Sequence, residues 1–119
     1  MKHTIETVNG VSIIVIQGDL WGGPETCELH CRITEDVRKL VATGQRTFVL
    51  DLSRTHHVNS IGIGVLVAIH ASIKNAKGDL VVCGVNQRPR AALEITGLTH
   101  LFRMVETRAT GVKALAAAV

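Results

Sequence analysis

The sequence predicts a single α/β domain with a mixed sheet that begins as an antiparallel hairpin and continues as parallel strands. Two β-branched runs, at 4–8 and 11–17, flank Asn9-Gly10, a strong signal for a two-residue hairpin. Beyond them, apolar runs of strand length alternate with segments of helical periodicity, which is typical of strands joined by helical crossovers. The chain is long enough for one core, so residues 1–119 are expected to form one domain of order ββαβαβαβα.

The first predicted helix covers residues 25–41. Pro24 suits the first turn of a helix, and Gly44 fits a position just after the last turn. The charged residues lie mainly off the apolar stripe, as expected for a helix with one face on a core. The stripe consists of Leu29, Ile33, Val37, Leu40 and Val41.

The remaining elements follow in regular succession. Residues 47–52 are nearly continuously apolar, as in a central strand covered on both faces. The second helix is predicted at 61–75, with Gly78 closing it, and its core stripe is Gly62, Val65, Leu66, Ile69 and Ile73. The later elements are a strand at 79–83, a helix at 89–96 followed by Gly97, a strand at 101–105 and an alanine-rich helix at 110–118. The pattern leaves open whether the helices cover one face of the sheet or both.

Ser60 lies between the central strand and the second helix, at or beside the helix N-terminus. Free amides and the helix dipole favour negative charge there, so a phosphate on this hydroxyl can be held without unfolding the domain. It would add a charge of about −1.5 to −2. Plain helix capping is the simpler interpretation from the residues alone. Ile63 and Val67 lie beside the core stripe, either under a second layer or in an exposed docking patch.

Composition argues against several classes of function. Aromatic residues make up 3% of the chain and Tyr is absent, which does not suit a base-stacking surface. Residues 61–119 carry an excess of four positive charges, which favours an acidic partner. Nucleic-acid binding is not expected, because the basic residues are spread out. They include Arg88, Arg90, Arg103 and Arg108.

The cellular setting is also indicated by composition. Three cysteines at unrelated spacings suggest no disulfide framework, which favours a reducing compartment. The N-terminus has no signal-peptide apolar region, and no apolar run reaches membrane-spanning length. The expectation is a cytoplasmic protein without membrane insertion.

Nucleotide and metal sites are incomplete in this sequence. Gly62-Ile63-Gly64 follows a strand and starts a helix, but Val67 stands where a dinucleotide fingerprint needs its third glycine. Cys27, His30 and Cys31 share a helix, yet they do not complete a tetrahedral zinc site. No cofactor and no metal are expected.

A hydrolase site is not supported either. A nucleophile elbow around Ser60 would need glycine two residues earlier, where Val58 stands. His56 and His57 are close in sequence, and Asp51 could orient one of them, but solvated loop histidines are the simpler interpretation. The expectation is a protein that is not an enzyme.

Several segments resemble one known family. Residues 48–52 (Phe-Val-Leu-Asp-Leu) and then 59–64 (Asn-Ser-Ile-Gly-Ile-Gly) are similar to an apolar strand followed by Asp-Ser-Ser/Thr-Gly-Leu-Gly. Residues 81–86, the Leu-x-x-x-Gly-Leu turn at 93–98, and Phe102 with the following tail continue the likeness in order. This set resembles the STAS domain, the anti-sigma-factor antagonist family, over essentially the whole chain.

The resemblance implies a sheet flanked mainly on one side by helices, and a regulatory function. An unphosphorylated antagonist of this family binds an anti-sigma factor, often a serine kinase of the histidine-kinase-like ATPase type, and so frees the sigma factor for transcription. The kinase phosphorylates the serine that matches Ser60, the complex dissociates, and a phosphatase reverses the modification. The antagonist has no catalytic machinery of its own.

The resemblance also implies a partner-binding surface and shows three departures. Asn59 replaces the usual Asp, Ile61 replaces a second Ser/Thr, and Trp21 stands where an acidic residue is common. A buried Trp21 that fills space is expected, and an exposed Trp21 as a contact residue is the alternative. The alternatives are a scaffold or transporter accessory subunit, in which Ser60 only caps the helix, and a small-ligand or nucleotide-binding domain. The predicted contact residues are Thr55, His56, Asn59, Ser60, Ile61, Ile63, Val67 and Lys74.

Overall fold

The computed structural model describes residues 2–116, and its elements follow the predicted order. The strands are β1 (Lys2–Val8), β2 (Val11–Gln17), β3 (Thr47–Arg54), β4 (Asp79–Cys83) and β5 (Arg103–Val105). The helices are α1 (Pro24–Ala42), α2 (Ser60–Asn75), α3 (Gln87–Ile95) and α4 (Arg108–Ala116), with a short 3₁₀ turn at Leu98–His100. The predicted fold class is therefore confirmed.

Across residues 2–116 the strands form one sheet in the order β1-β2-β3-β4-β5. β1 and β2 pair antiparallel, whereas β3, β4 and β5 each run parallel to the preceding strand. The hairpin turns at Asn9 and Gly10, whose φ angles of 51° and 78° suit the type I′ turn that matches the twist of the flanking strands. The predicted hairpin and the parallel crossovers are both confirmed.

Helices cover both faces of the sheet, unequally. The larger core joins one face of β2, β3 and β4 to side chains of α1, α2 and α3 such as Leu29, Ile69 and Leu93. On the other face, Val112 and Leu115 of α4 pack against the sheet. Three helices on one face and one on the other agree with the expectation of helices mainly on one side. No helix within residues 2–116 is long and apolar enough to cross a membrane.

The predicted stripe of α2 is buried as expected, and β3 is covered on both faces. Phe48 and Leu50 belong to the larger core, while Val49 between them belongs to the smaller one. This explains the continuous apolar pattern of that strand. The buried stripe residues of α2 are Gly62, Val65, Leu66, Ile69 and Ile73.

Element boundaries differ from the sequence prediction by a few residues. β5 is shorter than predicted because Leu98–His100 turn as a 3₁₀ helix before it. α4 begins at Arg108 rather than 110, and its predicted end at 118 lies outside the described residues. Lys77, with φ of 62°, is the left-handed residue after α2, not Gly78. Gly78 is needed for another reason: a Cβ there would lie 2.8 Å from the Arg46 carbonyl oxygen.

Asp51 lies on the α4 side of β3 and holds that helix to the sheet. Its Oδ2 accepts from Arg108 Nε at 3.1 Å and Nη2 at 2.6 Å, and its Oδ1 accepts from the Ser53 amide at 2.9 Å. Arg108 Nη1 also donates to Glu6 Oε1 at 2.6 Å. Asp51 is therefore not the residue that orients a loop histidine, since its carboxylate is used on the α4 side of the sheet.

Candidate functional site

The N-terminus of α2 presents an unbonded hydroxyl. Ser60 is the first helical residue and is exposed, and its hydroxyl makes no hydrogen bond with the other residues that the structure describes. The cap is Asn59, whose Oδ1 accepts from the Gly62 amide at 3.0 Å. The simple interpretation of Ser60 as the cap is thus wrong, because the preceding asparagine has that role. The first amides of the helix have no partner in an earlier turn, so the hydroxyl lies at the positive end of α2.

The start of α2 is fixed against the loop between β2 and α1. The Leu20 amide donates to the His57 carbonyl at 2.9 Å, and the Asn59 amide donates to the Leu20 carbonyl at 3.0 Å. Asn59 Nδ2 donates to the carbonyl of Trp21. A Cβ on Gly62 would lie 2.1 Å from the Leu20 carbonyl oxygen, so only glycine permits this contact. These contacts determine where Ser60 is presented.

Two large apolar side chains are exposed beside Ser60. Trp21 is 57% exposed and Ile61 is 55% exposed. Ile61 lies against the backbone of Gly22, where a Cβ would come within 2.9 Å of its Cδ1 atom. The expectation of a buried Trp21 is wrong because Leu20, which is fully buried, occupies the core position of this loop.

A polar cluster supports the Trp21 ring. The ring stacks on His57 with 5.0 Å between centroids and 22° between planes. His57 Nδ1 lies 3.2 Å from Asp19 Oδ2, and His57 Nε2 lies 2.6 Å from Arg88 Nη1. Since a guanidinium only donates, Nε2 accepts and the ring proton is on Nδ1, facing Asp19. The cluster therefore contains a neutral histidine between a carboxylate and an arginine.

Asp19 is the fixed point of this cluster. Its Oδ1 accepts from the backbone amides of His56 at 2.8 Å and His57 at 3.1 Å. Burial opposes its ionisation, but the hydrogen bonds from His56 and His57 outweigh burial and hold the pKa of the Asp19 carboxyl below its ordinary value. Sequence reasoning missed Asp19 and the role of Arg88, because the cluster joins two loops and the start of α3, which are distant along the chain.

The predicted contact residues divide into accessible and inaccessible ones. Thr55 is fully buried and its Oγ1 donates to the Gly18 carbonyl at 2.9 Å, so its prediction as a contact is wrong. Ile63 is buried with 8% exposure, and its role as a contact stays a prediction. Lys74 is exposed and pairs with Asp79 at 3.1 Å. The remaining four are exposed or half-buried beside Ser60 or along α2: His56, Asn59, Ile61 and Val67.

The cysteine residues provide no assembled metal site in the part of the chain that the structure describes. Cys27 and Cys31 are exposed on α1, and no group of three potential metal ligands is found within residues 2–116. Cys83 is buried in the sheet, where burial and the nearby Asp51 raise the pKa of its thiol to about 12. A thiol in this state is unreactive.

Comparisons with known proteins show a family for most of the chain and a shared fold. The family model of the STAS domain matches residues 3–111. A protein of Bordetella bronchiseptica, named "Putative anti-sigma factor antagonist BtrV", is 28% identical over 108 residues, which are 91% of this chain and 89% of that protein. An anti-sigma factor antagonist structure from Mycobacterium paratuberculosis is similar with a TM-score of 0.75 and 22% identity, covering 96% of this chain and 92% of that one. The Bacillus cell fate determinant SpoIIAA in its phosphorylated form is similar with a TM-score of 0.67 and 13% identity, covering 95% and 99%.

Proposed function

The chain belongs to the STAS domain family, and we propose that it acts as an anti-sigma factor antagonist that is released from its partner when Ser60 is phosphorylated. The observation that carries the proposal is the unbonded, exposed hydroxyl of Ser60 at the first residue of α2, beside the exposed side chains of Ile61 and Trp21. A modifiable group and a docking surface thus lie together.

A phosphate on Ser60 suits the free protein and opposes the complex. In the free protein, the helix dipole at the start of α2 favours the added negative charge. In a complex, contacts through Ile61 and Trp21 would remove water from the phosphate. Burying a charge without a partner costs several kcal/mol, and about 1.4 kcal/mol already changes affinity tenfold. Phosphorylation therefore dissociates the complex without unfolding the domain.

The proposed partner is an anti-sigma factor with serine kinase activity and a histidine-kinase-like ATPase fold. The unphosphorylated protein binds this kinase and frees the sigma factor, and a serine phosphatase restores the binding form. The protein is the substrate in this cycle, not an enzyme, and the cycle is expected in the cytoplasm. The name of the relative from Bordetella bronchiseptica supports an anti-sigma factor as the partner.

One hydrogen bond links the positions of two departures from the usual family pattern. Asn59 caps α2 with its oxygen and donates from Nδ2 to the Trp21 carbonyl. An aspartate can provide the first contact but has no donor for the second. Asn59 therefore holds the loop that presents Trp21, and we propose that the kinase recognises this loop in place of the usual carboxylate.

Intact mass measurement tests the proposal. The wild type, Ser60→Ala and Ser53→Ala are each incubated with the purified anti-sigma factor kinase of the same organism and ATP. Ser53 is a matched control because it is also exposed and lies on β3. We expect one phosphate on the wild type and on Ser53→Ala, and none on Ser60→Ala. Equal incorporation in Ser60→Ala would reject the site.

A second measurement addresses release. We expect Ser60→Asp to bind the kinase at least about tenfold more weakly than the wild type, since it places a charge in the interface. Unchanged affinity, together with no phosphate incorporation in the wild type, would favour constitutive docking as a scaffold instead.

A further inference from the structure

We propose that Trp21 and Arg88 form a second part of the docking surface, and that it selects a partner segment with an apolar side chain beside a carboxylate. The inference rests on the proposed function, because it specifies the chemistry of the anti-sigma factor segment that binds here. It extends the contact surface from the N-terminus of α2 to the N-terminal turn of α3, where Arg88 lies.

Trp21 is held in its exposed position before any partner binds. Its carbonyl accepts from Asn59 Nδ2, and the next amide, of Gly22, donates to Thr26 Oγ1 at 3.2 Å. Its ring rests on His57. A rigid exposed tryptophan loses little conformational freedom on binding and provides a large apolar contact, which is why tryptophan is enriched among residues that dominate interface energetics.

Arg88 adds a positive charge that no carboxylate among the described residues neutralises directly. It is exposed, and its contact is with the neutral ring of His57. Asp19, on the other side of that ring, already accepts three hydrogen bonds from His56 and His57. The guanidinium therefore keeps donors for an incoming group, and a carboxylate is the acceptor that fits its fork geometry.

The space beside Arg88 is open. A pocket of about 540 Å³ is lined by His56, His57, Asn86, Gln87 and Arg88. Asn86 fixes its wall, because Nδ2 donates to the carbonyls of Ser53 at 3.1 Å and Thr55 at 2.8 Å. A short acidic side chain can enter this pocket while its neighbour packs on Trp21. A basic side chain would meet like charge, which disfavours that class of partner.

An acidic partner segment also accounts for the effect of phosphorylation. Ser60 follows Asn59, and Asn59 binds the carbonyl of Trp21. A phosphate on Ser60 would thus add a second negative charge to the docking surface, at its α2 end. Repulsion between the phosphate and the partner's carboxylate would add to the cost of removing water from the phosphate.

Binding to the purified kinase in the absence of ATP tests the inference. We expect Trp21→Ala and Arg88→Gln each to weaken binding about tenfold and Arg88→Glu more strongly. Arg88→Gln keeps a donor for His57 and removes only the charge. The matched controls are Ile95→Ala, since Ile95 is 86% exposed on α3, and Arg103→Gln, since Arg103 is exposed on β5. Affinities of the Trp21 and Arg88 variants that match the wild type would overturn the inference and leave the proposed function standing.

A second measurement needs no partner. Trp21 is the single tryptophan of the chain, so its fluorescence reports this surface alone. We expect Arg88→Gln to lower quenching by iodide about twofold, because the local positive charge concentrates the anion. Quenching by neutral acrylamide should not change. Equal iodide quenching in both proteins would overturn the inference. Failure of the wild type to bind the kinase would overturn the proposed function, and the iodide result would then decide whether this surface attracts anions.

Discussion

Two aspartates in this molecule are bonded to basic partners, with different consequences. Asp51 is 4% exposed and its partner Arg108 carries a permanent charge, so the pair joins β3 to α4. Asp19 lies in the loop between β2 and α1, and its partner is the ring of His57, whose Nε2 accepts from Arg88. The Asp51 carboxylate neutralises Arg108. The Asp19 carboxylate orients the ring of His57 instead, so Arg88 is left without an acidic partner among the described residues.

The difference teaches how one domain separates stability from recognition. Asp51 is buried, whereas its partner Arg108 is 42% exposed. Burial opposes the ionisation of Asp51, but the hydrogen bonds from Ser53 and the Arg108 guanidinium outweigh it and lower the pKa of this carboxyl. The hydrogen bond to Asp51 in turn raises the pKa of Arg108. In the Asp19 cluster, the Asp19 carboxylate is bonded to His57, but Arg88 has no acidic partner among the described residues. The positive charge of Arg88 therefore remains available to a binding partner.

The largest expected effect comes from removing each carboxylate in turn. Asp51→Ala removes the hydrogen bonds of a buried carboxylate and should lower the free energy of unfolding by about 2–3 kcal/mol, since Arg108 is 42% exposed and keeps Glu6 as a partner. Asp19→Ala removes hydrogen bonds in a half-exposed loop and should cost about 1 kcal/mol. Urea unfolding followed by circular dichroism measures both values.

The affinities should show the reverse order. Asp19→Ala releases His57 and with it the support of the Trp21 ring, so kinase binding should weaken about tenfold. Asp51→Ala, measured where it is fully folded, should bind as the wild type does. A loss of affinity in Asp51→Ala as large as in Asp19→Ala would contradict the conclusion that Asp51 serves stability and Asp19 serves binding.

A smaller effect distinguishes two glycines in α2. A Cβ on Gly62 would lie 2.1 Å from the Leu20 carbonyl oxygen, which is backbone and cannot yield easily. Gly62→Ala should therefore cost about 2 kcal/mol and weaken kinase binding, since Trp21 follows Leu20. Gly64 has nothing within 4 Å of its Cβ position, so Gly64→Ala should stabilise the helix by about 0.5–1 kcal/mol. Equal stability of the two variants would mean that the close approach of Gly62 to the Leu20 carbonyl does not hold the Trp21 loop in place.

The sequence was sufficient for features that depend on local pattern. The hairpin at Asn9-Gly10, the stripe of α2 and the two-sided burial of β3 each follow from periodicity or turn chemistry. The position of Ser60 at the helix start followed from the same pattern, and its place in the family followed from the motif around it.

The rest depended on contacts between distant loops. Thr55 is buried, and its hydroxyl donates to the carbonyl of Gly18, which lies 37 residues earlier in the chain. Trp21 is exposed because Leu20 takes the core position and Asn59, 38 residues further on, binds the Trp21 carbonyl. No local sequence pattern predicts these hydrogen bonds, because each forms only when the sheet brings two distant loops together.

Acid unfolding provides the smallest and most specific test of the comparison. The folded-state pKa values of Asp51 and Asp19 lie below the ordinary value of 3.8. As the pH falls, the two carboxyls are protonated first in the unfolded chain. The stabilisation from the ionised carboxylates is therefore complete above pH 3.8 and is lost as the pH falls through the folded-state pKa values.

Asp51→Asn should therefore flatten the dependence of the unfolding free energy on pH below about pH 4, and Asp19→Asn should flatten it less. Arg108 stays charged throughout this range, so the change reports the carboxylates. Urea titrations at several acid pH values measure it, and equal slopes in Asp51→Asn and the wild type would show that the ion pair under α4 does not hold the fold.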